Sequence, residues 1–290
     1  MKRKNWLLVL LILVCLAVFY GYRTMAYLNT DGEPPRIEIP EEIPEFSVQD
    51  PRSALTRGIT AVDKTDGDVT GSLVVESVTL LDPDGTIDVT YAAFDKAGNV
   101  TKAQRTARYA DYESPRLTLS GPLAYIYGSN FDVLSTVGAT DVVDGDIQHR
   151  VRATTLEEGS IGTSGTHMIQ FQVTNSLGDT VTQVFPVDIY PADEYNASLT
   201  LTDYILYLKT GETFAATRYL KSFFMQGEET NLRAGVPRNF SLKTTGEVDT
   251  SRPGTYSVEL RLTYTQRHET NPDLDRKYTG YTKLIVVVEG

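Results

Sequence analysis

The chain is poor in cysteine: Cys15 is the only one in 290 residues, and it lies inside an apolar run near the N-terminus. Small exported domains in disulfide-forming compartments usually carry bridges. Residues 16–290 must therefore fold without them, as exported domains do on many Gram-positive bacteria. We expect Cys15 to be a small apolar side chain of a membrane helix. It is a poor lipidation site, because such a site needs a small residue before it and Val14 is not small.

Histidine is also scarce, and the chemistry that depends on it is missing. His149, His167 and His268 are the three histidines, and none belongs to a metal-binding HExxH pattern. No G-x-S-x-G motif and no glycine-rich phosphate loop after a strand is found. Paired carboxylates hydrolyse glycosides in some enzymes, but acidic surface residues are far commoner than catalytic pairs. We therefore predict that the chain is not an enzyme and has no catalytic residues and no cofactor.

Basic residues are outnumbered, with 27 Lys and Arg against 38 Asp and Glu and a net charge of -11. Lys2, Arg3, Lys4 and Arg23 are the only charged residues before Asp31, so the rest of the chain is more acidic than the total. Nucleic-acid binding needs clustered Lys and Arg to displace counterions from phosphates. We predict no nucleic-acid partner.

The one long apolar run is Trp6–Tyr20, which extends weakly to Tyr22 and predicts a targeting segment over residues 1–30. The basic residues before it hold the N-terminus in the cytoplasm, so the later residues are predicted to lie outside the cell. We expect an uncleaved, single-pass signal anchor in the cell membrane, with residues 6–22 contacting the membrane as a transmembrane helix. Thr24-Met25-Ala26 offers a cleavage site as the alternative, but Arg23 beside it counts against cleavage.

Two stretches repeat each other beyond this segment. AVDKTDGDVT begins at Ala61 and recurs as ATDVVDGDIQ at Ala139, and each opens a run of alternating apolar and polar residues. Gly67 and Gly145 within them are 78 residues apart, which is the length of one small β domain. The spacing predicts a tandem array of β domains.

Short alternating strands with frequent turn signals fill the rest of the chain and are typical of an immunoglobulin-like sandwich. We predict an all-β fold of tandem immunoglobulin-like β-sandwiches after the N-terminal helix. Two hairpins are predicted, Thr86–Tyr91 with Val100–Ala107 and Met168–Val173 with Val181–Ile189, while Thr217–Met225 fits either a short helix or a buried strand with its turn. The predicted parts are an acidic, proline-rich spacer (31–44), unit one (35–110), unit two (114–191) and a divergent unit three (195–290).

Three motifs in these units resemble the bacterial surface immunoglobulin-like domains that occur as tandem repeats on exported proteins and in some pesticidal crystal toxins. They are the DGDVT and DGDIQ loops, the FDKAGNVT turn at Phe94–Thr101 and the segment VDTSRPGTYSVEL at Val248–Leu260. Unit one has Asp84-Gly85-Thr86-Ile87 where the family has Pro-Gly-Thr-Tyr, and unit three lacks the Asp-Gly-Asp loop. The resemblance implies an exported adhesive, spacer or polymer-contacting module without catalysis.

The aspartate-rich loops have two interpretations. Gly67 and Gly145 sit where a tight turn needs a positive φ, and Asp66 and Asp144 before them can accept hydrogen bonds from the turn's own N–H groups. Alternatively, each loop could hold calcium through three carboxylates. These carboxylates are Asp63, Asp66 and Asp68 in unit one and Asp141, Asp144 and Asp146 in unit two. Because the spacing is not that of an EF-hand, we predict turn capping and no metal site.

Two functions compete. The first is a membrane-tethered extracellular repeat protein that acts as a structural or adhesive surface module, with a surface protein or a cell-wall polymer as partner. The second is a specific module for cell-wall or capsule glycans that binds through unit three. Its long connection Gln266–Lys277 mixes both charges and is flanked by Tyr264, Tyr278 and Tyr281, whose rings could stack on a ligand. Core tyrosines beside a solvated hairpin are the simpler interpretation of the same residues.

Overall fold

A computed structural model of the protein describes residues 2–28, 31–156, 163–268 and 275–290. It begins with helix α1, Lys2–Leu28, in which most of the described apolar side chains are exposed. Within the described ranges, no helix combines the length and the apolar character needed to cross a bilayer. All other regular structure apart from short 3-10 helices is β, so the predicted all-β class is confirmed.

The chain divides into two compact units, Met1–Tyr112 and Glu113–Gly290. The first unit is a sandwich of two sheets, with strand orders β1-β3-β4 and β2-β7-β6-β5. Its strands are β1 Arg36–Glu38, β2 Glu45–Phe46, β3 Thr60–Asp63, β4 Gly67–Asp68, β5 Val74–Leu80, β6 Thr86–Phe94 and β7 Val100–Tyr109, with 3-10 turns at Arg52–Thr56 and Thr70–Ser72. Alternating side chains of β6, among them Ile87, Val89 and Tyr91, fill the core between the sheets.

The second unit starts with another two-sheet sandwich, with strand orders β11-β10-β8 and β12-β13-β14-β9. Its strands are β8 Arg116–Leu119, β9 Ala124–Ile126, β10 Val137–Asp141, β11 Gly145–Asp146, β12 Arg152–Thr155, β13 Gly165–Thr174 and β14 Thr180–Tyr190, with 3-10 turns at Val133–Ser135 and Gln148–Arg150. Both predicted hairpins are present, β6 with β7 and β13 with β14, each pair antiparallel and longer than the sequence pattern indicated.

The remainder of the second unit is one seven-stranded sheet around a separate core. Its strands are β15 Ala197–Leu201, β16 Ile205–Lys209, β17 Leu220–Met225, β18 Glu228–Asn231, β19 Phe240–Thr245, β20 Gly254–Gln266 and β21 Arg276–Glu289, with a 3-10 turn at Ala216–Tyr219. The segment Thr217–Met225 is therefore a turn leading into a strand and not an α-helix. Its Leu220 and Phe223 are buried in the core, which favours the strand.

One topological feature occurs three times. The first strand of each sandwich is split, and its first half pairs antiparallel with the following strand (β1 with β3, β8 with β10, β15 with β17). Its second half pairs parallel with the last strand (β2 with β7, β9 with β14, β16 with β21). In the first two sandwiches the two halves belong to different sheets, whereas in the third segment both belong to the seven-stranded sheet. The recurring strand pairing is that of an immunoglobulin-like repeat fold.

Strand β21 is buried on both faces, and this joins the two sandwiches of the second unit. Its even-numbered residues, such as Leu284 and Val286, lie in the core of the seven-stranded sheet. Its odd-numbered residues Ile285 and Val287 lie instead in the core of the preceding sandwich, together with Phe171 and Phe185. A strand covered on both sides reads as a continuous apolar run, which explains the sequence LIVVV at residues 284–288. The two sandwiches therefore have separate cores, and β21 contributes side chains to both.

Candidate functional site

The aspartate-rich loop of the first sandwich is a turn closed by Asp63, the last residue of β3. Its Oδ1 accepts hydrogen bonds from the backbone N–H groups of Thr65 at 2.8 Å and Asp66 at 2.7 Å. Gly67 has φ of +76°, as the turn was predicted to require. The aspartate that caps the turn is thus Asp63, and not Asp66 as the sequence suggested.

The second sandwich repeats this turn. Asp141 Oδ1 accepts from the N–H groups of Val143 at 2.9 Å and Asp144 at 2.8 Å, and Gly145 has φ of +73°. The capping residue is again the first aspartate of the loop, because only this side chain stands at the base of the turn and faces its N–H groups.

Asp66 and Asp144 reach across to the neighbouring turn. Asp66 accepts from the Lys96 N–H at 2.8 Å and pairs with the Lys96 ammonium at 3.1 Å, and these contacts lower the pKa of Asp66. Asp144 accepts from Ser176 N–H at 2.6 Å and Oγ at 2.7 Å and from Arg150 at 2.7 Å. Burial acts to raise the pKa of Asp144, but these hydrogen bonds and the Arg150 charge hold it below its usual value.

The third aspartate of each loop accepts a hydrogen bond from the first residue of the 3-10 turn that follows. Asp68 Oδ1 accepts from the Thr70 N–H at 2.9 Å, and Asp146 Oδ1 accepts from the Gln148 N–H at 2.9 Å. The three aspartates of one loop therefore have three different sets of partners. The alternative interpretation of the sequence was calcium binding by the three carboxylates of one loop. Among the described residues, neither loop brings its three carboxylates together as one group.

A different set of carboxylates does converge. Asp31, Asp63 and Asp95 each bring an oxygen within 4.8 Å of those of the other two. They come from three separate segments: the spacer before β1, the β3–β4 turn and the β6–β7 turn. Asp63 and Asp95 are buried, with 3% and 9% of their surface exposed, and Asp31 is half-buried. We call these three residues the Asp trio.

Two oxygens of the Asp trio have no hydrogen-bond donor in the described part of the chain. Asp31 Oδ1 accepts from the Glu33 N–H at 3.1 Å, but Asp31 Oδ2 and Asp63 Oδ2 are buried and have no partner among the described residues. Both carboxylate oxygens of Asp95 have donors. The backbone N–H and the side-chain amide of Asn99 donate to them, each at 2.7 Å. Burial acts to raise the pKa of Asp95, and the hydrogen bonds from Asn99 outweigh it, so that the pKa is lowered.

Sequence reasoning identified Asp63 as a candidate ligand but missed Asp31 and Asp95. The useful signal was the repeat itself. With the 80-residue offset of Pro35-Arg36-Ile37 and Pro115-Arg116-Leu117, Asp95 corresponds to Asn175. This position is therefore acidic in one repeat and an amide in the other.

In the second sandwich the amide takes the place of the carboxylate. Asn175 Nδ2 donates to Asp141 Oδ2 at 3.1 Å, so the oxygen that corresponds to the unpaired Asp63 Oδ2 has a donor. Asn175 Oδ1 accepts from the N–H groups of Leu177 and Asp179, both at 3.0 Å. In the second sandwich, protein N–H groups therefore donate to both oxygens of the buried Asp141 carboxylate.

The tyrosines of the third repeat do not form one surface. Tyr264 and Tyr278 pack in the core of the seven-stranded sheet, with ring centroids 6.4 Å apart, as the simpler interpretation expected. Gln266 pairs with Arg276 within the β20–β21 hairpin, so the ends of the predicted loop belong to strands. Residues 269–274 lie outside the described residues.

Tyr281 lies instead at the junction of the two sandwiches of the second unit. Its hydroxyl donates to Asp188, which also pairs with the fully buried Lys283. Burial and the Asp188 hydrogen bond strongly raise the pKa of the Tyr281 hydroxyl. Thr166 Oγ1 adds a third donor to Asp188 at 2.8 Å. Asp188 is thus a buried charge with a complete set of partners.

A cleft of about 330 Å³ opens beside this ion pair. Tyr195 stacks on Tyr281 with centroids 5.1 Å apart, and the Arg261 guanidinium covers Tyr195 at 5.3 Å. Burial and a hydrogen bond to Glu194 raise the pKa of Tyr195 to about 12. The cleft is lined by the half-buried rings of Tyr190, Tyr195 and Tyr281 together with polar groups that include Glu194, Glu259 and Arg261.

No family model matches the chain. It is similar to an uncharacterized 81.3 kDa protein of Acholeplasma phage L2, with 25% identity over 159 residues. The match covers 54% of this chain and 20% of the phage protein, so the chain spans about a fifth of that relative.

Three solved structures align over most of the chain. Drosophila N-cadherin EC1-3 is 12% identical, covers 87% of this chain and 98% of its own, and gives a TM-score of 0.29. Mouse cadherin-23 EC22-24 is 11% identical, with coverages of 88% and 98% and a TM-score of 0.22. The CBM51-2 and INT domains of Clostridium perfringens ZmpB, in complex with GlcNAc, are 15% identical, with coverages of 88% and 42% and a TM-score of 0.22. The fold assignment rests on the strand pairing described above.

Proposed function

We propose that the chain is an exported, non-enzymatic structural or adhesive surface module, in which the two sandwiches of the second unit are held in a fixed arrangement. The observation that carries this proposal is strand β21, which contributes side chains to both cores of the second unit. Ile285 and Val287 leave one sandwich to complete the core of the other, and the buried pair of Lys283 and Asp188 lies beside them. A flexible linker would leave these apolar side chains in water, so the junction favours a stiff module.

Export is the second part of the proposal. The apolar run at residues 6–22 follows three basic residues, and the acidic, cysteine-free repeats suit an exterior without disulfide formation. In the proposed arrangement the N-terminus lies in the cytoplasm and the repeats lie outside, tethered to the cell membrane.

Protease added to intact, wall-stripped cells tests the topology. A C-terminal epitope tag on the chain should disappear, while a cytoplasmic marker protein stays whole. Protection of the tag under these conditions would contradict export. In untreated cells, a full-length chain in the membrane fraction indicates a retained anchor, whereas a shorter chain that begins at Tyr27 and is released from the membrane indicates cleavage after Ala26.

Attachment tests the adhesive role. Beads coated with residues 31–290 should bind cells of the producing strain more strongly than beads coated with an unrelated soluble protein of similar net charge. Equal binding would remove adhesion from the proposal and leave the structural role.

The cleft at the junction favours a second candidate, the binding of a cell-wall or capsule glycan. Tyr190, Glu194, Glu259 and Arg261 supply an aromatic face and polar groups of both charges around one opening. Sugar recognition commonly combines these two features, a ring to pack against and polar groups to orient the hydroxyls.

A pull-down on purified wall polymers tests this candidate. The fragment has to be residues 113–290, because residues 195–290 alone would expose Ile285 and Val287. Glu259→Gln and Tyr190→Ala should each reduce retention, whereas Lys277→Ala on the exposed part of β21 should not. Equal retention of all variants would exclude the cleft.

A further inference from the structure

We propose that the Asp trio is a calcium site that ties the spacer after α1 to two turns of the first sandwich. Asp31, Asp63 and Asp95 would supply one carboxylate each from three segments that are distant in sequence. This site differs from both aspartate-rich loops considered from the sequence, since it takes only Asp63 from them.

The first argument is the unpaired oxygen of Asp63. This side chain is 97% buried, its Oδ1 is held by two N–H groups of its own turn, and its Oδ2 has no donor among the described residues. A buried polar atom without a partner destabilises the fold, and more so when it is charged. Asp31 Oδ2 is in the same situation. Two such oxygens beside a third carboxylate need a positive group.

The second argument is that the nearby lysines are engaged elsewhere. Lys64 pairs with Glu33 at 3.3 Å, and Lys96 pairs with Asp66 at 3.1 Å. Among the described ion pairs, no Lys or Arg reaches the Asp trio. Among the described side-chain hydrogen bonds, the trio receives one from Asn99, which donates to Asp95 and carries no charge.

The third argument is the internal comparison with the second sandwich. Asp141 occupies the position of Asp63 and makes the same two turn hydrogen bonds, yet its Oδ2 receives the amide of Asn175. The same turn is therefore completed by a neutral donor in one repeat and lacks one in the other. A cation in the first repeat would do what the amide does in the second.

Calcium fits this donor set best. It takes six to eight oxygen ligands in flexible geometry, and carboxylates, backbone carbonyls and waters all serve. Asp31 is a half-buried residue of the spacer, so water can complete the coordination on its side. Magnesium demands a nearly ideal octahedron with short bonds, which suits three ligands from three separate segments less well. We expect affinity in the range of extracellular calcium modules, with a Kd of about 0.1–1 mM.

Isothermal titration of the whole chain in detergent, freed of metal with EDTA and dialysed, tests the site directly. Calcium chloride should bind to one site at submillimolar concentration, and magnesium chloride should bind at least about tenfold more weakly. Asp63→Asn should weaken calcium binding at least about tenfold. Asp31→Asn should do the same, and as a change in the spacer it leaves the sandwich core intact.

Asp68→Asn is the matched control. It removes the same charge from the same loop, and its side chain accepts a hydrogen bond from the first residue of a 3-10 turn outside the Asp trio. It should leave calcium affinity within about twofold of the wild type. Absence of calcium binding to the wild type, equal affinity in all variants, or tighter binding of magnesium would each overturn the assignment. Circular dichroism of each variant confirms that a loss of binding is not a loss of fold.

Discussion

The buried and half-buried carboxylates of the two compact units differ in their hydrogen-bond and ion-pair partners. In the second unit, Asp141 receives the Asn175 amide, Asp144 receives Ser176 and Arg150, and Asp188 receives Lys283, as well as Tyr281 and Thr166. In the first unit the Asp trio is left with two unpaired oxygens. Repeats of common topology thus differ in what closes their buried acidic groups. The Asn175 amide completes the group in the second sandwich, and we expect calcium to complete it in the first.

The largest expected effect comes from removing the partner of Asp188. Lys283→Ala would leave a buried charge with only neutral donors, and breaking such a pair costs about 3–5 kcal/mol. Hydrogen exchange of the β14 and β21 amides should speed up accordingly, while exchange in β6 and β7 of the first unit stays unchanged. Lys277→Ala, at an exposed position of the same strand, should stay within about 0.5 kcal/mol of the wild type. Similar exchange rates for both variants would mean that the ion pair of Lys283 with Asp188 does not stabilise the fold.

The second largest effect is expected from Ile285 of β21, which packs in the core of the preceding sandwich. Ile285→Ala should cost about 2–5 kcal/mol through the lost burial and the cavity left behind. The exchange of β13 and β14 amides should rise most, because Ile285 packs among the residues of that sandwich although it belongs to the last strand. Leu284→Ala is the control, since it should act on the seven-stranded sheet instead. The same exchange pattern for both variants would contradict a core divided by strand alternation.

Asp144 links the β10–β11 turn to the β13–β14 turn through Ser176, and its substitution should have a smaller effect on stability. Asp144→Asn removes the ion pair with Arg150 and weakens the hydrogen bonds from Ser176, at a cost of about 1–3 kcal/mol. The pKa of Asp144 is lowered in the folded state, so its stabilisation is complete above the unfolded value near 4 and is lost as pH falls through the lower folded value. Urea unfolding at pH 7 and at pH 3 should show a smaller deficit of the variant at pH 3 than at pH 7. An equal deficit at both values would show that the charge of Asp144 is not involved.

Tyr207→Phe should have the smallest effect, about 0.5–1.5 kcal/mol, because it removes one hydrogen bond to the Leu117 carbonyl. Burial raises the pKa of Tyr207 to about 12, so its hydroxyl stabilises the fold below pH 10 and this contribution is lost as pH rises toward 12. Absorbance titration at 295 nm should show one fewer late-titrating tyrosine in the variant. An unchanged number of late-titrating tyrosines would mean that Tyr207 is not one of the buried tyrosines with a raised pKa.

Much of the fold could be predicted because it is local. Alternation over β6 and β7 and the repeated Asp-Gly-Asp turn fixed the class, the period and the hairpins. The junction was not predicted, although the apolar run at residues 284–288 carries the signal of a strand buried on both faces. The division of that strand between two cores depends on packing that no local pattern encodes.

The site was predicted in part for the same reason. Asp63 stood out because it belongs to a recurring loop, whereas Asp31 and Asp95 come from segments 32 residues to either side of it. Only the folded chain brings such distant carboxylates together. The assignment of turn capping to Asp66 was wrong, since a sequence does not show which aspartate of three faces the turn and which one faces a neighbour.

One measurement tests the central comparison most directly: the same substitution at the two corresponding positions, followed by unfolding with and without calcium. Binding in the expected range should stabilise the wild-type first sandwich by about 1.4–2.7 kcal/mol at 10 mM calcium over EDTA. Asp63→Asn keeps the Oδ1 hydrogen bonds and turns the unpaired oxygen into a donor. In EDTA it should therefore be more stable than the wild type, and calcium should not stabilise it further.

Asp141→Asn should behave in the opposite way. Its new amide would face the Asn175 amide and lose that hydrogen bond, so it should be less stable in EDTA, while the calcium stabilisation of the first sandwich is retained. Hydrogen exchange of the β6–β7 and β13–β14 amides reads the two sandwiches separately. Destabilisation by Asp63→Asn in EDTA, together with a wild type indifferent to calcium, would contradict the account.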